Sequence, residues 1–309
     1  IKWIAKLGSA TYGNPTVADG RVFVGTNNES PRDPKYRGDR SVVYCLDEQT
    51  GELFWELNIP KLGAGKVSDW EYLGICSSPS IEGDRVYVLT NRCEVVCLDV
   101  AGLHNGNDGP FQDEGQYMAG AGKPPIELGL TDADIIWRYN MADELGIFPH
   151  NVTSSSVLVI DNRVYANTSN GVDYSHKHII NPRSPALIAL DKETGALVGE
   201  EAAGISQRVY HGSWSSPAAG LVDGRWRVFF GGGDGFCYAF DAAPVEDEDG
   251  FIHRRNFLVK SVADLESVKA GTFYNDYGEI ADVTEPDHII SLMADIDFLE
   301  QNGNRKRLP

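Results

Sequence analysis

The stretch SVVYCLDEQTGELFWELNIP, residues 41–60, gives the clearest indication of the fold of this protein. Apolar residues alternate with other residues on both sides of a short polar segment, which is the pattern of two β-strands joined by a tight turn. Asp47 and Thr50 are typical turn residues, Gly51 provides backbone freedom, and Trp55 lies in the second strand. The stretch therefore predicts a β-hairpin with a large aromatic residue shortly after its turn.

The same hairpin occurs again as PALIALDKETGALVGEEAAG, residues 185–204. Asp191, Thr194 and Gly195 take the turn positions, and Gly199 stands where the first copy has tryptophan. A unit that is written twice in one chain indicates a repeat architecture. We interpret this hairpin as a building block of the fold.

A second type of hairpin occurs four times in the chain, and two of its copies precede the units just described. The copies begin at Asn14, Ser78, Ser156 and Ser216. Each has a short apolar strand, a turn of Asp, Gly or Asn, an arginine and then alternating apolar residues. The arginines are Arg21, Arg85, Arg163 and Arg227.

A third strand that ends in Asp follows each hairpin, at residues 42–47, 94–99, 186–191 and 236–241. One position in it is always small: Cys45, Cys97, Ala189 and Ala239. We expect these cysteines to be buried and structural, because free cysteine behaves as a small apolar residue. The small side chains are expected where neighbouring sheets approach closely.

Four antiparallel strands per repeat, which cannot bury both sheet faces alone, predict the blade of a β-propeller. In the second blade an insertion, residues 100–134, delays the fourth strand, which carries Trp137. The opening IKWIAKLG is predicted to be a further fourth strand with Trp3. The expected fold is all-β, with four recognisable blades over residues 1–243. Either the ring is completed by sequence absent here, or this chain departs from the usual ring.

The D-x-x-T-G-x-x-x-W turn, with its preceding L-D and the DGRVFVG-type hairpin, resembles the pyrroloquinoline-quinone-like (PQQ-like) β-propeller repeat. Quinoprotein alcohol dehydrogenases and the propeller lipoprotein of the outer-membrane barrel-assembly machinery share this repeat. The segments WSSPA and GGGDGFCYAFDA are also similar to large PQQ-like repeat proteins of planctomycete-type bacteria. The resemblance covers about residues 1–243, and it implies a bacterial, extracytoplasmic propeller without fixing its activity.

Residues 244–309 contain no further copy of the repeat. Ser261 and Gly271 mark the start and end of one predicted helix. A second helix is predicted from Thr284 to about Asn302, because apolar residues recur there at helical spacing. We predict an acidic extension with two helices, the second of which docks on the propeller.

The net charge of −18 argues against nucleic acid as a partner, because phosphate groups are repelled by such a surface. No apolar run approaches the roughly 20 residues that span a bilayer. We therefore expect a protein that is not integral to the membrane and is membrane-associated only through its partners. Other protein subunits are the expected partners.

A quinoprotein-like dehydrogenase is one alternative that the resemblance leaves open. The enzymes of that superfamily have an adjacent Cys-Cys disulfide over the quinone, calcium held by Glu, Asn and Asp, and a catalytic Asp. This chain has five cysteines, none of which are adjacent, and no CxxCH haem motif. PQQ and Ca²⁺ are therefore not supported as cofactors, and no catalytic residue is assigned.

A small-ligand or metal-binding propeller is the other alternative, and histidines are its candidate residues. His150 and His211 precede the first strands of two blades at a similar offset, beside Trp214, in loops expected near the central channel. Such a pair can bind metal or act as a base, although hydrogen-bonding loop residues are commoner. His176 and His178 alternate on one extended segment, with no third ligand nearby in sequence.

The segment GLHNGNDGPFQDEG, residues 102–115, has the residue types of a calcium loop, including Asp108 and Asp113. Its spacing differs from the EF-hand pattern, so both a calcium site and a plain loop remain open.

Three long loops occur in the chain, at residues 27–40, 100–134 and 171–185. Ordering a long loop costs conformational entropy, so such loops are expected either to bind something or to cap the fold. All three carry residue types that are enriched at interfaces. These residues are Tyr36, Phe111, Tyr117, Met118 and Tyr174. The function we expect is a non-enzymatic scaffold or binding subunit of a larger extracytoplasmic, periplasmic assembly.

Overall fold

The computed structural model describes residues 1–243, which form four antiparallel sheets with little helix. This confirms the predicted all-β propeller architecture. The two helices predicted within residues 244–309 lie outside the described residues.

Each sheet is one blade, and its strands follow the order of the chain. Blade one has β1 (Thr16–Ala18), β2 (Arg21–Asn27), β3 (Arg40–Asp47) and β4 (Leu53–Pro60). Blade two has β5 (Ser80–Glu82), β6 (Arg85–Thr90), β7 (Glu94–Asp99) and β8 (Ile135–Asn140). Blade three has β9 (Leu158–Ile160), β10 (Arg163–Asn167), β11 (Leu187–Asp191) and β12 (Leu197–Glu200). In the described residues blade four has β13 (Ala218–Val222), β14 (Arg225–Gly231) and β15 (Cys237–Asp241).

Two short helices lie outside the sheets, α1 (Glu114–Ala119) in the insertion of blade two and α2 (Met141–Leu145) after β8. Within residues 1–243 neither helix has the length and apolar composition that crossing a bilayer requires.

The repeat arginine and the aspartate that ends the third strand set the register of every blade. Arg21 lies opposite Asp47 and Arg85 opposite Asp99, and the later blades repeat this pairing. The corresponding pairs are Arg163 with Asp191 and Arg227 with Asp241. In blade two the guanidinium nitrogen is 3.0 Å from the Asp99 carboxylate. A charge pair at the end of two strands favours this register over a shifted one.

The first strands of successive blades contact each other, so the sheets are arranged around a common axis. A repeated hydrogen bond joins them there. The backbone N–H of Asn14 donates to Ser78 Oγ, that of Ser78 to Ser156 Oγ, and that of Ser156 to Ser216 Oγ. These four residues are the ones at which the aligned hairpins begin.

The antiparallel order gives every blade two different ends. The turn end holds the short turns after the first and third strands, such as Asp19–Gly20 and residues 48–52. The loop end holds the connections between blades and the loops after the second strand. Trp55 and Trp137 lie near the turn end, whereas all connections between blades lie at the loop end.

A tryptophan from the fourth strand closes each of two junctions between blades. Trp55 packs against Gly102 and donates its indole N–H to the carbonyl of Val100, at 2.8 Å. Trp137 packs against Gly195 and donates to the carbonyl of Lys192, at 2.9 Å. A Cβ at Gly195 would lie 2.5 Å from the Trp137 ring, so glycine is required in that turn. Each indole therefore anchors one blade on the next.

The small residue of the third strand lies between two aromatic side chains of its own sheet. Cys45 pairs with Phe23 on one side and with Trp55 on the other. Cys97 lies in the same way between Tyr87 and Trp137. Both cysteines are buried and free, as expected. The small size leaves room for ring contacts across the strand, with centroids 5.9 Å apart in blade one.

The opening segment differs from its prediction, because residues 1–8 form no strand. Trp3, Ala5 and Leu7 instead pack on the face of blade one. Trp3 contacts Gly51 and donates to the carbonyl of Glu48, as the other tryptophans do on their neighbours. The indole position is therefore kept, while no described third strand lies alongside to give this segment its β-pairing.

The insertion of blade two covers the outer strand of blade one. The backbone N–H of Glu56 donates to Thr131, and that of Ala133 donates to Glu56, which closes the edge of β4. Tyr36 and Met118 are buried against this cover, and the Tyr36 hydroxyl donates to Asp132 at 2.7 Å. Of the two roles considered for these loop residues, binding a partner or capping the fold, the positions of Tyr36 and Met118 agree with capping, here of a sheet edge that would otherwise be open.

Candidate metal centre

Three histidines meet at the loop end, between blades three and four. His150 comes from the connection before blade three, His176 from the loop between β10 and β11, and His211 from the connection before blade four. One ring nitrogen of each lies within 4.8 Å of the others. The three residues are far apart in sequence, and only the packing of neighbouring blades brings them together.

The three imidazole rings form a nearly equilateral group. Their centroids are 4.3 Å apart for His150 and His211, 4.6 Å for His176 and His211, and 4.8 Å for His150 and His176. Trp214 lies beside the group, with its ring centroid 5.1 Å from that of His211. The rings are thus close enough for one nitrogen of each to contact the same ion.

Hydrogen bonding fixes the tautomer of His150. Its Nδ1 is 2.7 Å from the carbonyl of Val172, and a carbonyl only accepts, so Nδ1 carries the proton. The Nε2 atom is therefore the lone-pair nitrogen. This atom is buried and has no hydrogen-bond partner within residues 1–243, and the same is true of His211 Nε2. A histidine held by a carbonyl through one nitrogen, with the other nitrogen free, is the usual arrangement of a metal ligand.

Two glycines allow the loops to approach closely. A Cβ at Gly171 would lie 2.7 Å from His150 Cβ, and one at Gly212 would lie 3.0 Å from the Trp214 ring. The Val172 N–H donates to the carbonyl of His211 at 2.8 Å, which ties the two loops together.

His176 adopts a positive φ of 60°, which is uncommon for a non-glycine residue. Such strain is characteristic of functional sites.

The surroundings of His150 and His211 favour the neutral form of both imidazoles. Burial lowers the pKa of His150 below its ordinary value, and the neighbouring His211 and His176 act in the same direction. Burial and His176 also lower the pKa of His211. Neutral imidazole is the form that coordinates a metal ion.

A set of three imidazoles suits Zn²⁺, Cu²⁺, Ni²⁺ or Co²⁺ better than Ca²⁺ or Mg²⁺, which prefer oxygen ligands. A three-histidine set leaves a fourth position open for water or for another ligand. His176 is exposed and His150 is 1% exposed, so the group reaches from the interior to the surface. An ion held here is therefore accessible from solvent on the His176 side.

The structure groups the candidate histidines differently from the sequence. His150, His211 and Trp214 lie together, and the Trp214 indole N–H donates to the carbonyl of His150 at 3.1 Å. His176 joins them, although its loop was paired only with His178 in sequence. His178 is outside the group, and its backbone N–H donates to Asp173. The sequence carried no signal that the loop of one blade meets the connections on both sides.

Aspartates form a second group at the turn end, where carboxylate oxygens of Asp99, Asp108 and Asp134 lie within 4.8 Å of one another. Asp108 was one of the two candidates in the insertion. Asp113, the other, lies outside this group and is exposed.

Comparison with known protein families shows the family of this chain. A family model described as outer membrane protein assembly factor BamB matches residues 1–249. The chain belongs to the BamB family. No curated protein matches it.

Two solved structures are among those to which this BamB-family chain is similar. BamB from Moraxella catarrhalis is 17% identical over 75% of this chain and 46% of its own length, with a TM-score of 0.40. Quinohemoprotein alcohol dehydrogenase ADHIIG from Pseudomonas putida HK5 is 14% identical over 83% of this chain and 35% of its own, with a TM-score of 0.46. The chain thus spans less than half the length of either protein.

Proposed function

We propose that this BamB-family chain is a non-enzymatic binding propeller of an extracytoplasmic bacterial assembly, and that it binds a divalent transition metal ion through His150, His176 and His211. The observation that carries the proposal is the buried Nε2 atom of His150. In the described part of the chain this atom has no hydrogen-bond partner, the Val172 carbonyl fixes the tautomer, and two further imidazoles have a nitrogen within 4.8 Å. A buried nitrogen without a partner is costly, and a metal ion would remove that cost.

The ion would join blades three and four, whose junction has glycine in place of the fourth-strand tryptophan. His150 precedes blade three, His176 lies in the loop between β10 and β11 of that blade, and His211 precedes blade four. Binding therefore connects loops that are otherwise held by backbone hydrogen bonds, such as that from Val172 to His211. The open coordination position would accept water or a side chain of a partner.

The assembly part of the proposal is supported by the family and by the surface around the centre. The family is named for the assembly of outer membrane proteins, and we propose an assembly of that kind for this chain. Tyr174 and Tyr210, which neighbour the histidine loops, are 56% and 84% exposed. Tyrosine is enriched at protein interfaces because it offers a large contact area together with a hydrogen-bonding group.

A quinone-dependent reaction is not part of the proposal, because the chain has no adjacent cysteines and no haem-attachment motif. PQQ therefore has no assigned residues.

Metal titration tests the centre directly. Chelator-treated protein is titrated with Zn²⁺ by calorimetry and with Co²⁺ by visible absorption, and we expect one equivalent to bind. His176→Ala should weaken binding at least tenfold, because it removes a ligand from the exposed side of the group. His178→Ala, two residues away but outside the group, is the matched control and should bind like the wild type. Equal weakening by both variants, or no stoichiometric binding by the wild type, would contradict the proposal.

A separate experiment tests the assembly. Gently solubilised envelope fractions of the native bacterium are separated by size, and we expect this chain to elute together with other subunits. Replacement of Tyr174 and Tyr210 by alanine should release it. Leu221→Ala, which truncates an exposed residue at the turn end, should leave the complex intact. Elution of the wild-type chain by itself would overturn this part without affecting the metal result.

A further inference from the structure

The turn end of blade two contains an acidic group that the repeat does not explain. Asp99 ends β7, Asp134 directly precedes β8, and Asp108 lies in the insertion between these strands. Their carboxylate oxygens lie within 4.8 Å of one another. Like charges at this separation repel, so three carboxylates are held together only if something compensates them.

The equivalent turns of the other blades show what normally faces this aspartate. In blade one Asp47 Oδ1 accepts hydrogen bonds from the Gln49 and Thr50 N–H groups and from the Thr50 hydroxyl. Asp191 of blade three accepts the same three bonds from Glu193 and Thr194. The repeat aspartate is therefore stabilised by a set of donors.

Blade two replaces most of these donors with acceptors. Asp99 Oδ1 accepts from the Ala101 N–H, at 2.6 Å, and the threonine of the repeat is absent because the insertion begins here. The carboxylates of Asp108 and Asp134 are present in its place. The change adds negative charge and removes hydrogen-bond donors at the same position.

Asp134 shows that the group is incomplete without a cation. Its side chain is 0% exposed, and its Oδ2 accepts the Asp108 N–H at 3.0 Å. Its Oδ1 is buried and has no hydrogen-bond partner among the residues that the structure describes. An ionised carboxylate oxygen in such a place is costly unless a positive charge faces it.

Lysine and arginine side chains of the described residues do not neutralise the carboxylates of Asp108 and Asp134. Arg85 is 3.0 Å from Asp99, but blade one has the corresponding pair of Arg21 with Asp47, so this ion pair belongs to the repeat. Within residues 1–243 neither Asp108 nor Asp134 forms an ion pair with lysine or arginine. The Asn105 amide lies between two of the carboxylates, with Nδ2 3.2 Å from Asp108 Oδ2 and 3.5 Å from Asp99 Oδ2. Rotation of this amide would present its oxygen to the same space.

We propose that Asp99, Asp108 and Asp134 bind a Ca²⁺ ion, with Asn105 as an additional oxygen ligand. Carboxylate and amide oxygens are the ligands that Ca²⁺ prefers, and a flexible loop suits its variable coordination better than the strict octahedron of Mg²⁺. The group lies next to Val100, which accepts the indole N–H of Trp55. Bound Ca²⁺ therefore fixes the start of the insertion where blade one is anchored on blade two.

Calcium-dependent stability tests this site. Chelator-treated full-length protein is melted with and without CaCl₂, and binding is measured by calorimetry. We expect one equivalent of Ca²⁺ with a dissociation constant of about 10⁻⁵–10⁻³ M, as in sites of this charge. At a hundredfold excess over that constant the melting temperature should rise by about 5–10 °C.

Three variants separate a calcium site from a structural acidic group. Asp134→Asn removes the buried charge, so without calcium the variant should melt no lower than the wild type, while its response to calcium is lost. Asp108→Asn changes an exposed residue and should weaken calcium binding at least tenfold without affecting folding. Asp113→Asn, an exposed acid of the same insertion outside the group, should respond like the wild type.

Two results would overturn the proposal. One is a wild-type protein whose melting temperature is the same in chelator and in calcium. The other is an equal loss of response in Asp108→Asn and Asp113→Asn, which would show only a general effect of surface charge. His176→Ala should keep the full calcium response, because its metal centre lies at the opposite end of the sheets.

Discussion

The junction between blades one and two is closed by a buried tryptophan, whereas blade three has a glycine at the same position. Trp55 is 0% exposed and contacts Gly102 of the next blade. Gly199, its counterpart in blade three, has no side chain with which to reach blade four. The third junction keeps a tyrosine hydrogen bond, from the Tyr165 hydroxyl to the Ala242 carbonyl, like that from Tyr87 to Lys192 in the second junction, and it has three histidines at its loop end.

This difference shows that one repeat can join its blades by two kinds of interaction. An indole supplies a large apolar area and one hydrogen bond at the turn end. Histidines supply coordination at the loop end, which depends on an ion and is therefore conditional. The tryptophan junctions should be stable without a ligand, and the third junction should gain stability when the proposed metal binds.

Truncation of Trp55 is expected to have the largest effect. Trp55→Ala removes a fully buried indole and its bond to Val100, so the free energy of unfolding should fall by about 3–5 kcal/mol. Urea unfolding followed by circular dichroism measures it. Trp226→Ala, at a residue that is 42% exposed, is the control and should cost much less. Equal losses would mean that the indole does not close the junction.

Metal binding is expected to act locally on the third junction. Zn²⁺ at a hundredfold excess over its dissociation constant should stabilise the protein by about 2.7 kcal/mol. Hydrogen exchange should slow mainly in the histidine loops and in β13–β15, and little in β1–β4. His211→Ala should abolish the effect. Uniform protection of all four blades, or protection that persists in this variant, would contradict a local site.

Substitution of the glycine in the first tryptophan junction is expected to have an intermediate effect on the free energy of unfolding. Gly102 has a φ of 58°, and a Cβ there would lie 2.6 Å from the Trp55 ring. Gly102→Ala should therefore cost about 1–3 kcal/mol from backbone strain and ring displacement together. Gly83→Ala is the matched control, because its φ is 59° and its Cβ would meet no atom within 4 Å. The difference between the two variants, measured by urea unfolding, isolates the contact with the indole.

A further effect concerns pH and the covered edge of blade one. Burial raises the pKa of Glu56 to about 7, and Asp132 acts in the same direction. Between pH 4.5, its ordinary pKa, and pH 7 the folded state holds this proton while the unfolded chain loses it. Stability should therefore decrease as the pH rises through that window. Glu56→Gln should reduce the decrease, as measured by unfolding at several pH values. Glu52→Gln, at an exposed position of the same blade, should follow the wild-type curve.

Local patterns in the sequence predicted the strands and their pairing. The alternating residues, the turn after Asp47 and the repeat arginines gave the strand order and register, because these depend on neighbours within one blade. The predicted strand in the opening segment was wrong because strand formation there depends on a partner outside the segment. Trp3 keeps the indole position, but a strand needs a partner strand, and the residues of the segment cannot supply one.

The candidate site was only partly visible in the sequence. His150 and His211 were paired by their equal offset from two first strands, which is a property of the repeat. His176 was grouped with His178, since spacing along the chain cannot show which loop of one blade touches the connection to the next. Asp134 was missed because its importance arises from burial against Asp99 and Asp108, not from any spacing within the insertion.

The repeat, the hairpins and the positions that must be small, acidic or aromatic can be predicted from the sequence alone, because they follow from side-chain alternation and turn chemistry within about ten residues. Which residues of different blades meet depends on the folded structure. The arrangement of sheets around an axis brings three histidines from separate loops together, buries Tyr36 under an insertion, and leaves Asp134 Oδ1 without a hydrogen-bond partner in residues 1–243. Such contacts depend on the three-dimensional packing of whole blades, which no local pattern encodes.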